Sequence, residues 1–284
     1  MTLLEDALDN PFVTTDWLAA HLSDPKVAII DASWFLPAAN RKPQEEYLAG
    51  HIPGAVYFDI DAIADKTVNL PHMLLPPDQF AAAVGALGIG DGMTIVIYDE
   101  AGLFSAPRVW WEFSAMGAPD IRILAGGGPK WRTEGRALES GVSKRAPAIF
   151  TSHFHPEMVQ DFAGVSAKLA AHSTVVDARP AGRFAGREPE PRPGLKSGHM
   201  PGALNVPAGD LVAGGQLKPA AELKAMFDKA GVDLTQPIVT SCGSGVTAST
   251  LRLALMTAGA KDVAVYDGSW AEWGGRPDAA VVTD

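Results

Sequence analysis

Four short runs of apolar, β-prone residues punctuate the chain: Val27-Ala28-Ile29-Ile30, Thr94-Ile95-Val96-Ile97-Tyr98, Thr174-Val175-Val176 and Ile238-Val239-Thr240-Ser241. Each is continuous rather than alternating, as strands buried on both faces of a parallel sheet read. Elsewhere the spacing becomes helical. Residues 77–87 carry apolar side chains three and four apart, and 220–227 repeat the pattern. Residues 106–116 and 246–257 form two more helical stretches, each following the loop after a strand. Strands alternating with helices predict an α/β fold: parallel sheets flanked by helices on both faces.

The pattern occurs twice. Ile29-Ile30-Asp31-Ala32-Ser33 matches Val175-Val176-Asp177-Ala178-Arg179, and Gly50-His51-Ile52-Pro53-Gly54-Ala55 matches Gly198-His199-Met200-Pro201-Gly202-Ala203. The 94–98 strand matches the 238–241 strand, which sets Asp99 opposite Cys242. Gly126-Gly127-Gly128-Pro129-Lys130-Trp131 matches Gly268-Ser269-Trp270-Ala271-Glu272-Trp273. The offset between copies stays near about 145 residues, which means two similar domains in tandem and not a short repeat. Polar residues and prolines gather between Gly135 and Pro156. We therefore divide the chain into a domain at 1–140, a linker at about 141–156 and a domain at 157–284. His51 and His199 recur in both copies, as structural turn residues would. Trp110, Trp111, Trp131, Trp270 and Trp273 are expected in the core or between domains.

Composition narrows the function. A net charge of −10 repels nucleic acid and anionic lipid, so neither is expected as a general partner. No apolar run reaches the length of a membrane span. The acidic start, Met1-Thr2-Leu3-Leu4-Glu5-Asp6, has no basic leader region, which points to the cytoplasm. The single cysteine rules out an internal disulfide and a cysteine-based zinc site. It is either an inert buried side chain or a reactive thiol.

Its neighbours favour reactivity. Cys242 ends a strand and leads through Gly243-Ser244-Gly245 into the helix beginning at Val246 and Thr247. Open α/β sheets place their sites at such strand ends. The glycines let the backbone curl, so that amide groups point inward beside a helix N-terminus. That setting stabilises a thiolate and an anionic substrate beside it. A Gly-Ser-Gly run fills no core.

With these residues in view, the chain resembles tandem-domain rhodaneses, and within them the 3-mercaptopyruvate sulfurtransferase type, over nearly its whole length. Cys242-Gly243-Ser244-Gly245-Val246-Thr247-Ala248 looks like the mercaptopyruvate-type active loop. Asp31-Ala32-Ser33-Trp34, Ser105-Ala106-Pro107-Arg108-Val109-Trp110-Trp111 and Tyr266-Asp267-Gly268-Ser269-Trp270 add to the likeness. The resemblance implies two rhodanese-like domains, the first catalytically inactive because Asp99 replaces the cysteine. It implies sulfur transfer through a Cys242 persulfide, with loop residues Gly243, Gly245, Val246 and Thr247 binding substrate. No metal or organic cofactor is expected. Thiosulfate-type rhodaneses carry basic residues after the cysteine, where this chain has Gly243 and Ser244. Cysteine phosphatases need an arginine at the position that is Ala248, with Arg252 lying beyond it, so phosphatase chemistry is not expected.

By the same resemblance Arg183 and Arg192, in Gly182-Arg183-Phe184 and Glu188-Pro189-Glu190-Pro191-Arg192, bind the carboxylate and ketone of 3-mercaptopyruvate. A guanidinium fork suits a carboxylate. The competing reading pairs these arginines with Glu188 and Glu190 on a solvated loop; Arg187 is left to that reading. Ser244, His72 and Asp61 match a proposed proton relay, in which a histidine oriented by an aspartate moves a proton through the serine. The expected acceptors are cyanide, a small thiol or thioredoxin. Two alternatives stay open: thiosulfate:cyanide sulfurtransferase on the same scaffold, and a non-catalytic sulfur-carrier or binding module.

Overall fold

The computed structural model describes residues 11–284; the acidic hexapeptide 1–6 lies outside the described residues. The chain divides into two compact units. The first holds residues up to Asp65, Leu74–His155 and Gly214–Gln216; the second holds Lys66–Met73, Pro156–Ala213 and Leu217–Asp284. Two short segments thus group away from their neighbours in sequence, and His72 falls in the same unit as Cys242.

In the first unit the strands are β1 (Phe12–Val13), β2 (Val27–Asp31), β3 (Val56–Tyr57), β4 (Thr94–Tyr98) and β5 (Ile121–Leu124). They form a sheet in the order β1-β5-β4-β2-β3, parallel throughout. β2 is buried at all five positions, which accounts for its unbroken apolar sequence. Helices α1 (Thr15–His21), α2 (Pro43–Ala49), α3 (Pro77–Ala86), α4 (Ala106–Ala115) and α5 (Gly127–Thr133) connect the strands. α3 turns Phe80 and Val84 inward. α4 is buried at every position, Arg108 and Glu112 included, and these two pair at 2.7 Å. An apolar cluster of Leu18, Ile29, Val96, Tyr98 and Trp131 fills one face of the sheet.

The second unit repeats the plan. β6 (Val159–Gln160), β7 (Thr174–Asp177), β8 (Leu204–Asn205), β11 (Ile238–Ser241) and β12 (Val263–Tyr266) form a parallel sheet in the order β6-β12-β11-β7-β8. A separate ribbon joins β9 (Val212–Ala213) and β10 (Gln216–Leu217). The helices are α6 (Phe162–Ala170), α7 (Ala181–Phe184), α8 (Ala220–Lys229), α9 (Val246–Thr257) and α10 (Ser269–Trp273). Trp270 and Trp273 are buried beside Tyr266, Val239 and Met200. Among the described residues no helix is long and apolar enough to cross a membrane.

The histidines shared by the two copies hold turns. His51 Nδ1 lies 2.8 Å from the Tyr47 carbonyl, and its ring stacks on Tyr47 at 4.0 Å. His199 does the same with Phe184, at 2.9 Å to the carbonyl and 3.9 Å between rings. Each also opens an antiparallel bridge, His51 with Glu139 and His199 with Val282.

Candidate active site

Strand register locates the site. In the first unit Tyr98 stands opposite Asp31, and in the second Ser241 stands opposite Asp177. The next residues, Asp99 and Cys242, therefore occupy equivalent places at the ends of the central strands. Beyond them the two loops diverge. α9 starts at Val246, behind a Gly245 cap at φ 80° that favours glycine. α4 starts at Ala106, behind a longer loop.

The first copy shows what this loop does. Asp99 Oδ1 accepts the Ala101 amide at 2.9 Å. Its Oδ2 accepts the amides of Phe104, Ser105 and Ala106 at 2.8, 2.9 and 2.8 Å. Converging amides at a helix start hold an anion, and in this copy the chain supplies the anion itself. The second copy has a thiol there. Cys242 is 2% exposed, and the first amides of α9, Val246, Thr247 and Ala248, have no acceptor within the helix.

The Cys242 backbone is fixed on several sides. Its amide donates to Ser269 Oγ at 3.1 Å, and its carbonyl accepts from the Trp270 amide at 2.9 Å. The Gly243 carbonyl accepts from the Ala271 amide at 2.9 Å. Ser244 is buried, and its Oγ accepts from Arg192 Nη2 at 3.4 Å. A Cβ built on Gly243 would stand 3.9 Å from Arg192 Nη1. The structure thus brings Arg192 to the cysteine loop.

Arg183 is placed differently. Its Nη1 lies 3.7 Å from Glu190 Oε2, a long ion pair, and its side chain keeps 20% exposure. Glu190 is held more closely by Arg179, at 2.7 Å. Arg187 is exposed. Asp61 lies in the first unit, where Trp34 Nε1 donates to its Oδ2 at 2.8 Å. His72 is buried in the second unit, with a left-handed backbone at φ 60°. Arg252 is buried along α9 and donates to the Val263 carbonyl at 2.9 Å; burial pushes its guanidinium down to about 10. An arginine bonded into the fold in this way does not grip an anion at the loop.

The sequence alone does not single out two residues of this region, Arg179 and Ser269; Glu190, named above as an arginine partner, pairs most closely with Arg179. Arg179 is 1% exposed. It donates to Asp177 Oδ2 at 2.7 Å and to the Gly198 carbonyl at 2.9 Å, and lies 4.0 Å over the Trp270 ring. The signal that could have found them is the difference between copies: the first copy has Ser33 at the place of Arg179, and Gly127 at the place of Ser269.

The lack of that arginine leaves a mark on the first copy. Asp31, the counterpart of Asp177, is buried, and its Oδ1 accepts the Ser33 amide at 2.9 Å, with the Tyr98 hydroxyl and Glu100 nearby. Burial raises its pKa from 3.8 to about 6. As pH rises between those values the unfolded chain ionises first, so the folded state loses stability across that window and carries the full penalty above it. Asp31→Asn cannot ionise and keeps an acceptor for Ser33. We expect it to stabilise the protein near neutral pH by up to about 3 kcal/mol. The gain should vanish below the usual carboxylate range. Urea midpoints at the two pH values check this, and equal midpoints at neutral pH would count against it.

Known proteins are similar to this chain over both units. The family model described as rhodanese-like domain matches residues 14–134 and again 162–276. The 3-mercaptopyruvate sulfurtransferase of Escherichia coli K12 is 47% identical over 274 residues, covering 95% of this chain and 97% of that protein. The mitochondrial thiosulfate/3-mercaptopyruvate sulfurtransferase 1 of Arabidopsis thaliana is 40% identical, covering 96% of this chain and 78% of that protein. The crystal structure of SseA from E. coli, described with the rhodanese fold and the catalytic mechanism of 3-mercaptopyruvate sulfotransferases, superposes with a TM-score of 0.85. Its identity is 44%, with 92% of this chain and 99% of that one covered.

Proposed function

The chain belongs to the rhodanese family, and on that premise we propose that it is a 3-mercaptopyruvate sulfurtransferase working through a persulfide on Cys242. The observation that carries the choice of donor is Arg192, reaching Ser244 from outside a loop that has no basic side chain of its own. A cation beside the thiol, set back from it, suits a substrate whose carboxylate is separated from its sulfur by a ketone and a methylene. Arg183, loosely tied to Glu190, supplies the second cation. The first domain is catalytically inactive, because Asp99 fills its own loop.

The reaction runs in two halves. The Cys242 thiolate attacks the sulfur of 3-mercaptopyruvate, forming an S–S bond as the C–S bond breaks. The pair from that bond leaves as pyruvate enolate, held through its carboxylate by Arg183 and Arg192. The proton on the transferred sulfur passes to the enolate carbon, with Ser244 and His72, both in the unit of Cys242, as the relay, giving pyruvate and a deprotonated persulfide. The loop amides and the α9 N-terminus bear that charge. Gly243 and Gly245 let the backbone close on it, with Val246 and Thr247 contributing amides. An acceptor thiolate or cyanide then attacks the outer sulfur and frees Cys242. Reduced thioredoxin is a candidate acceptor. A cytoplasmic setting fits, since a lone catalytic thiol needs reducing surroundings.

The test compares donors with cyanide as acceptor. We expect pyruvate release from 3-mercaptopyruvate to exceed sulfite release from thiosulfate by about a hundredfold in kcat/KM, the worth of one well-formed carboxylate–arginine pair. A preference for thiosulfate would turn the reading to thiosulfate:cyanide sulfurtransferase, and inactivity with both donors to a sulfur-carrier or binding module.

A further inference from the structure

Ser269 occupies a backbone position that its own side chain makes costly. Its φ is 49°, in the left-handed region that residues with a Cβ avoid, and it is fully buried. The first copy makes the same turn with Gly127 at φ 57°. There a Cβ would stand 2.6 Å from the Asp99 carbonyl oxygen, so the turn admits no side chain at all. The fold therefore needs a left-handed residue at this place but not a hydroxyl. The copy that carries the cysteine keeps one despite the strain, and strain of this kind collects at functional sites.

The hydroxyl has a specific task. Ser269 Oγ accepts the Cys242 amide at 3.1 Å and donates to the Tyr266 carbonyl at 2.8 Å. The amides of Trp270 and Ala271, the next two residues, donate to the Cys242 and Gly243 carbonyls at 2.9 Å each. Both polar backbone groups of Cys242 are thus tied to one short segment, and the side-chain torsion is its main remaining freedom. The Ser269 bond fixes the peptide on the strand side of the cysteine, and with it the Cα–Cβ direction from which Sγ projects. We infer that Ser269 is a positioning residue for the nucleophile: through the Cys242 amide it aims the sulfur at the loop amides. This rests on Cys242 being the nucleophile of the proposed function. It predicts a loss that does not depend on the donor, because the donor-binding arginines are untouched.

Ser269→Gly removes the hydroxyl and relieves the strain, while Ser269→Ala removes the hydroxyl and keeps it. For Ser269→Gly we expect a thermal midpoint close to that of the unaltered protein, relief of the left-handed strain offsetting the unpaired Cys242 amide. Its kcat with 3-mercaptopyruvate should fall about tenfold, the effect of one lost hydrogen bond, with KM little changed. Alkylation of Cys242 by iodoacetamide should slow by a similar factor, and Ser269→Ala should match both losses while melting lower. A fully structural role predicts instead that glycine is harmless. Alkylation of Ser269→Gly at the unaltered rate would overturn the inference, as would full reactivity in Ser269→Ala. If the unaltered protein itself failed to use 3-mercaptopyruvate, the proposed function would fall while the alkylation rates still decided the role of Ser269.

Discussion

Cys242→Ser is expected to fold normally and to transfer no measurable sulfur from any donor. The substitution exchanges one chalcogen for another at a residue that is 2% exposed, so the loop keeps its shape and stability changes by less than about 1 kcal/mol. The chemistry does not survive. A serine hydroxyl is scarcely ionised at neutral pH, and no other cysteine exists in the chain to take over. Turnover with either donor should fall by about 10⁴-fold or more, as it does when a nucleophile is removed and binding is left in place. Mass spectrometry of the protein after donor alone gives the direct reading: one added sulfur atom on the unaltered chain and none on the variant. A variant that still released pyruvate at the normal rate would remove Cys242 from the mechanism.

Arg183→Ala is expected to lower kcat/KM for 3-mercaptopyruvate by about a hundredfold while leaving Cys242 alkylation unchanged. The neighbouring arginines separate the roles. Arg179 is 1% exposed and committed to Asp177, Glu190 and the Gly198 carbonyl. Arg183 has 20% of its side chain exposed and reaches Glu190 only at 3.7 Å. It can turn to a substrate carboxylate without unbalancing the buried charge, since Arg179 still holds Glu190 at 2.7 Å. Losing one charge-assisted pair costs about 2–3 kcal/mol in transition-state binding. Steady-state kinetics with both donors check this. An equal loss with thiosulfate, or slower alkylation, would mean that Arg183 supports the loop and does not read the substrate.

The inner strands were legible because a strand buried on both faces has no reason to alternate. Val27–Asp31 and Ile238–Ser241 lie where their apolar runs placed them. The edge strands were not legible. Phe12–Val13, Val56–Tyr57, Val159–Gln160 and Leu204–Asn205 are two residues each, too short for any period to show. Nor could the sequence assign residues 66–73 to the unit that holds Cys242, since that grouping is made by contacts far apart along the chain.

The sequence by itself determined the duplicated α/β plan and the place of the single cysteine at a strand end. It also determined that the first copy carries a carboxylate in place of the thiol. These come from residue type and local order, which burial and turn chemistry translate directly. Tertiary structure alone decided the rest. It turned the Asp99 carboxylate back into its own loop, where it accepts the amides of Phe104, Ser105 and Ala106, while the equivalent place in the second copy holds the Cys242 thiol. It buried Arg179 as a structural cation and left Arg183 loosely held, although both lie in one arginine-rich stretch. It set Ser269 in a left-handed turn beneath Cys242, 27 positions along the chain. A hydrogen bond depends on where two groups stop in space, and only packing settles that for residues so far apart in sequence.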